Sequence, residues 1–194
     1  MNRVTHLYGD KKGFSDAPVE VAIVGAGPYG LSLAAHLDGA GIQTRVFGRP
    51  MESWRRHMPE GMLLKSDPFA SNLSDPQEFY TLARFSEEQS IPCRESETGF
   101  RIDLSRLTLL SPALRRDIAE YRRAPILTGN FESAVPGLYF IRPAAAASFG
   151  PMMRFTFGAR YAARRLTRAL VRSQRASAKS FAGSTLDRRA GTPV

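Results

Sequence analysis

The sequence predicts an α/β fold with a parallel sheet in three layers. Three observations carry that expectation: an apolar run at residues 19–24, a glycine cluster directly after it at Gly25, Gly27 and Gly30, and an amphipathic helix pattern continuing to Gly41. Val19, Val21 and Val24, with Ala22 and Ile23 among them, have the near-continuous apolar content of a parallel strand covered on both faces. A second β-prone segment at 43–47 then completes a βαβ unit.

Each glycine of GAGPYG has a physical task at this spacing. Gly25 permits a tight turn, Gly27 lets backbone come close to a pyrophosphate, and Gly30 lets the helix lie against the strand. Linked phosphates would rest on the unpaired amides of the helix N-terminus, where the dipole is positive, so the segment reads as a dinucleotide site. A merely glycine-rich structural turn is the ordinary alternative. The acidic residue that grips ribose hydroxyls belongs at the end of the second strand, and Gly48 and Arg49 stand there. Glu52, one turn later, is the remaining candidate, with a solvated carboxylate as its plain alternative.

The rest of the chain is read in order. Residues 1–18 form a polar leader. A turn-rich stretch at 49–76 holds Trp54 and GMLLKSDPFASNLSDP, and so long an irregular segment is usually functional. A helix is expected at 77–89, with Ser74 or Asp75 near its cap, and another at 112–122. Residues 125–128 suggest a short strand and 138–141 a clearer one, after the Pro136–Gly137 turn. The last helix is expected to open at Ser148, Phe149, Gly150 and Pro151, with Ser148 as cap and Pro151 in the first turn, and to run to about Val171. Its methionines and aromatics read as core packing rather than cofactor contacts. Residues 173–194 read as a flexible tail.

Composition bounds the function. With 43% hydrophobic and 23% charged residues over 194 positions, the chain is globular rather than disordered. It has no apolar run long enough to span a membrane and no signal-peptide pattern, which predicts a soluble cytoplasmic protein. Cys93 is the single cysteine, excluding an internal disulfide, and His6, His36 and His57 lack metal-ligand spacing, so no metal is expected. Residues 1–100 carry 10 basic and 13 acidic side chains against 17 and 5 in residues 101–194, which concentrates the net charge of +9 in the second half. Arg154, Arg160, Arg164, Arg165, Arg168, Arg172 and Arg175 fall largely along the last helix. Without aromatics interleaved for base stacking, this reads as a solvated face with some attraction for phosphate, and no nucleic-acid partner is expected.

With these residues in view, the chain resembles FAD-dependent monooxygenases of the flavin-containing and N-hydroxylating group, the lysine or ornithine hydroxylase-like enzymes. One block, 19–92, joins GAGPYG to Trp54, MLLKS and SNLSDP; the other, 98–172, contains TGFRIDLSRL and FESAVPGLYFIRPAAAASFGPMMRF. The resemblance implies a shortened Rossmann-like FAD-binding domain at 19–172, made of these two blocks. It implies that Gly25, Ala26, Gly27, Pro28, Tyr29 and Gly30 hold the FAD pyrophosphate, with Trp54, Lys65 and Pro151 near the cofactor and Asn72 as the polar, catalytic residue beside the reacting flavin edge.

Two departures qualify it. Such enzymes bind NADPH in a domain inserted between the blocks, with its own glycine fingerprint; here CRESE leads directly to Thr98 and Gly99, Glu97 stands where alanine is usual, and no second GxGxxG occurs. Arg142 stands at a strand end where glycine is usual, so it either pairs with a phosphate or obstructs one. The expectation is therefore a flavoprotein oxidoreductase needing an external reductase or a second chain for NADPH-driven turnover. A non-catalytic FAD- or NAD(P)-binding remnant, or an interaction module, is the rival.

Overall fold

The computed structural model describes residues 18–57, 71–78, 81, 84, 88 and 103–187. The chain opens with β1 (Val21–Val24), α1 (Pro28–Gly39) and β2 (Thr44–Phe47), and the two strands pair in parallel with Val21 opposite Thr44 and Val24 opposite Phe47. Proline at the first helical position starts α1 without wasting a backbone donor. The helix closes where the Ile42 N–H donates to the Leu37 carbonyl at 3.0 Å, seating the buried Ile42 under the last turn. A short helix, α2 (Glu52–His57), follows β2.

Residues 103–145 are built from turns. Ser111 caps α3 (Pro112–Asp117), its hydroxyl accepting the Leu114 N–H at 3.2 Å. β3 (Glu120–Tyr121) and β4 (Ala124–Pro125) form a two-residue antiparallel hairpin. Leu104, Leu110 and Ile118 make a small core of their own, flanked by Val135, Leu138 and Phe140. The chain then passes through α4 (Ala146–Phe149) and a 3-10 turn at Pro151–Arg154 into the long α5 (Gly158–Asp187).

The main core lies where α1 is held between the sheet and α5. Ile23, Leu33, Leu37 and Ile42 meet Ala159, Ala162, Ala163 and Leu166 of α5, with Phe131 and Met153 filling the end. Alanines at helical spacing let α5 approach α1 closely, and Phe131 stacks on Phe149 at 4.0 Å between ring centres.

Several elements differ from expectation. The parallel sheet among the described residues has two strands, and its far face is open: Val24 is 64% and Phe47 40% exposed, so the layers run sheet, α1, α5 and not helix, sheet, helix. α1 is buried on nearly all sides, not amphipathic, because it is the middle layer. Residues 138–141 form no strand. Tyr139 makes one bridge to Glu132, the Phe140 N–H donates to the Phe131 carbonyl, and Arg142 then turns the chain at φ +67°. The expected helix at 112–122 stops at Asp117 because Ile118 turns inward to the small core. The last helix starts at Gly158, not Ser148, and continues to Asp187 instead of ending near Val171; no proline interrupts residues 158–187 and alanine recurs through them. Of the expected helix at 77–89, Arg84 and Glu88 are helical and Gln77 lies in a turn, while most of the remainder lies outside the described residues.

Candidate functional site

The turn between β1 and α1 is fixed by β2 from one side. The Gly25 N–H donates to the Phe47 carbonyl at 2.7 Å, and the Met51 N–H donates to the Ala26 carbonyl at 2.9 Å. Gly25 takes φ +107°, which makes the reversal possible. At Gly30 the need for glycine is steric: an added Cβ would stand 1.9 Å from the Gly25 carbonyl oxygen and 3.3 Å from the Ile23 side chain, so only glycine lets α1 lie on the turn. Gly27 occupies the N-cap in extended conformation, with no side-chain cap among the described residues, and Pro28, at the first helical position, has no N–H to lose.

Arg142 reaches this helix end from a distant part of the sequence. Its Nη1 lies 3.3 Å from where a Gly27 Cβ would be. The backbone explains the substitution that sequence comparison leaves open: Arg142 keeps the left-handed conformation that favours glycine, at φ +67°, while its side chain brings a guanidinium to the positive end of α1. A helix N-terminus with an arginine beside it attracts an anion, and a guanidinium suits phosphate bidentately. The residues present therefore fit a pyrophosphate.

Gly48 has a similar explanation. It stands at φ +124°, and a Cβ there would lie 3.2 Å from the Ala26 amide nitrogen, so a side chain at this position would crowd the turn. Glu52, at the start of α2, pairs with Arg49 at 3.2 Å and Arg56 at 3.4 Å on the surface, one residue after the Met51 amide that holds Ala26.

The other expected residues are distributed as follows. Tyr29 is 2% exposed and donates its hydroxyl to the Phe155 carbonyl at 2.7 Å, so its side chain ties α1 to the approach to α5. Trp54 lies on α2, with its side chain outside the described residues, and Lys65 lies outside them altogether. Pro151 belongs to the 3-10 turn ahead of α5 rather than to the first turn of the last helix, and Ser148, in α4, accepts the Leu127 N–H instead of capping that helix. Asn72 lines a groove along α5, together with Leu73, Ser74 and Glu78, and no residue of the glycine turn lines it.

Two arrangements were not foreseen. His36 is buried on α1 and its Nε2 lies 2.9 Å from Ser74 Oγ, while the Ser74 N–H donates to Ser32 Oγ at 3.0 Å, which fastens residues 71–76 to the helix. Burial, assisted by the positive charges of Arg164 and Arg160, lowers the His36 pKa below its ordinary 6.5 against the opposing pull of Asp75 and Glu78. In the second, Arg160 and Arg164 converge on one carboxylate oxygen of Glu78, the latter at 2.6 Å. The i, i+4 spacing of the two arginines was visible in sequence, but the distant carboxylate was not.

This geometry is an α/β arrangement in which a glycine turn joins a parallel strand to the N-terminus of a helix. A family model described as FAD binding domain matches residues 18–59, the stretch comprising β1, the glycine turn, α1, β2 and α2, and there the chain is similar to FAD-dependent flavoproteins. No curated protein and no solved structure matches the chain. Among the described residues no group of three or more His, Cys, Asp or Glu is placed to hold a metal, and no helix is long and apolar enough to cross a membrane.

Proposed function

We propose that this protein is an FAD-binding flavoprotein oxidoreductase of the flavin monooxygenase type. The observation that carries the reading is the convergence of the Gly27 N-cap and the Arg142 guanidinium, inside a βαβ unit similar to an FAD-binding domain. The Gly25–Gly30 turn holds the pyrophosphate through backbone amides other than those of Pro28, which has no N–H, and Gly25, whose N–H is paired with Phe47, and Arg142 neutralises it. Glu52 is assigned to the ribose, Trp54, Lys65 and Pro151 to the surroundings of the cofactor, and Asn72 to the reacting edge. When bound, FAD supplies electron transfer to oxygen and, on the resemblance to N-hydroxylating enzymes, oxygen transfer to an amine. The chain's own part is to bind, orient and exclude water. The reducing equivalents originate outside these 194 residues, from an external reductase or a second chain, since one glycine fingerprint is present. Arginine at a backbone position usual for glycine favours one second reading, a non-catalytic FAD- or NAD(P)-binding module.

Titration with FAD and with NAD, read by melting temperature and flavin fluorescence, tests the binding. FAD is expected to raise the melting temperature more than NAD at equal concentration, because a ligand bound only by the native state stabilises it. A folded, colourless protein indifferent to FAD overturns the proposal. If FAD binds, bleaching of the visible flavin bands by a reductase, followed by reoxidation in air, separates the oxidoreductase from the inert module.

A further inference from the structure

The exposed side of α5 carries Arg160, Arg164, Arg168 and Arg172 at four-residue intervals, with Arg165 beside them. At 1.5 Å per residue their Cα atoms step about 6 Å along the axis, so like charges are neighbours throughout the row. Such a row costs stability unless anions cover it. Facing it are Asn72, Ser74, Thr81 and Asn130, and together they enclose a groove of about 680 Å³, within the range of small-molecule sites.

Among the described residues, five arginines line the groove against one acidic side chain, Glu78. That carboxylate is held by both Arg160 and Arg164, on a backbone at φ +54° that a non-glycine residue rarely adopts. One end of the row thus already demonstrates its chemistry, two guanidiniums closing on one oxyanion. Arg165 donates Nε–H to the Gly129 carbonyl, while Arg168 and Arg172 have no carboxylate within ion-pair distance among the described residues.

We infer that this groove is a binding site for a small polyanion bearing two or more oxyanion groups, either phosphates or carboxylates. One group sits between Arg168 and Arg172, and the next lies toward Arg165 and the amide side chains of Asn72 and Asn130. Glu78 occupies the far end as an internal anion that limits how much negative charge the groove accepts. The inference does not rest on the flavin reading: neither the glycine turn nor Arg142 lines the groove, and Asn72 is the one lining residue that the flavin reading also uses.

Isothermal titration of the full chain with inorganic pyrophosphate and with citrate tests it and distinguishes the two chemistries. One equivalent of at least one probe is expected to bind. Arg168→Ala and Arg172→Ala each weaken binding about tenfold, the scale of one charge-assisted contact. Arg175→Ala, which removes the same charge from an exposed position of α5 outside the groove, changes it less than twofold. Glu78→Gln frees Arg160 and Arg164 and tightens binding several-fold, a gain that mere damage to the fold does not produce. Circular dichroism of each variant accompanies the titrations. Equal losses from Arg175→Ala and Arg168→Ala, no gain from Glu78→Gln, or no binding of either probe overturns the inference. Binding of oligonucleotide or anionic vesicles with neither small probe overturns it as well.

Discussion

The positive charge at the start of α1 and the positive charge along α5 are built from different material. At the start of α1 it comes from backbone amides and one guanidinium, Arg142, and its geometry is fixed by hydrogen bonds to Phe47 and Met51. Along α5 it comes from five flexible side chains restrained by one carboxylate and one carbonyl. A backbone site is preorganised and is lost only if the turn is distorted, whereas a side-chain site changes strength one arginine at a time and is screened by salt. The first therefore suits a constant cofactor and the second a ligand whose charge is sensed.

Gly30→Val gives the largest separation of the two. A Cβ 1.9 Å from the Gly25 carbonyl cannot be relieved by a side-chain rotation, and the overpacking is expected to cost about 3 kcal/mol or more or to prevent folding. Arg168→Ala, on an exposed helix face, is expected to stay within about 0.5 kcal/mol. Urea unfolding of both proteins measures the contrast, and comparable midpoints would remove the distinction between a fixed and an adjustable site.

The same contrast explains what could be read in the sequence. The glycine turn was legible because its geometry is written in residue type: Gly25 takes φ +107° and Gly30 has no room for a Cβ, whereas Gly27, in extended conformation, would meet only the end of the Arg142 side chain. The hairpin at Arg122 and Arg123 was not. Both residues take positive φ, 50° and 65°, in a two-residue turn that sequence rules assign to Asn-Gly or Asp-Gly, so two arginines gave no turn signal. Arg142 is a third instance, and the strand expected at 138–141 failed with it, because β-prone residues form a ladder only where a partner strand continues. The seven arginines noted toward the C-terminus were visible as charge, but Glu78, 82 residues away from Arg160, had no local pattern linking it to them.

Arg142→Gly sharpens the comparison because its two effects have opposite signs. Relief of a left-handed non-glycine residue is worth about 1–2 kcal/mol, from which the added freedom of the unfolded chain subtracts about 0.5–1 kcal/mol, so stability should rise modestly. FAD affinity should fall about tenfold with the loss of one charge-assisted contact, while pyrophosphate binding at the α5 groove stays unchanged. A parallel loss at both sites in titration calorimetry would show that they are one.

Tyr29→Phe has a smaller effect and probes how far the turn depends on α5. It removes the hydroxyl donated to the part-buried Phe155 carbonyl, which still accepts the Gly158 N–H at 3.1 Å, at a cost of about 1 kcal/mol. Because the side chain points into the core, FAD affinity should remain within twofold once the protein is folded. A tenfold loss in flavin titration would instead place the phenol among the cofactor contacts.

The smallest effect concerns the junction of the two regions, where His36 of α1 meets Ser74 of the groove wall. Its pKa is lowered in the folded state by burial and by Arg164 and Arg160, so between that lowered value and 6.5 the unfolded chain binds more protons than the folded one. Stability contributed by the neutral imidazole is thus fully present above pH 6.5 and declines as the pH falls through this window. Melting temperatures recorded from pH 7.5 down to about 5.5 should decrease, and His36→Gln should flatten the curve over the same interval. Polyanion bound along α5 offsets the guanidinium charges that depress the His36 pKa, so saturating pyrophosphate should reduce the slope in the wild-type protein. A slope insensitive to pyrophosphate would mean that the groove and the glycine-turn helix are electrostatically independent at their point of contact.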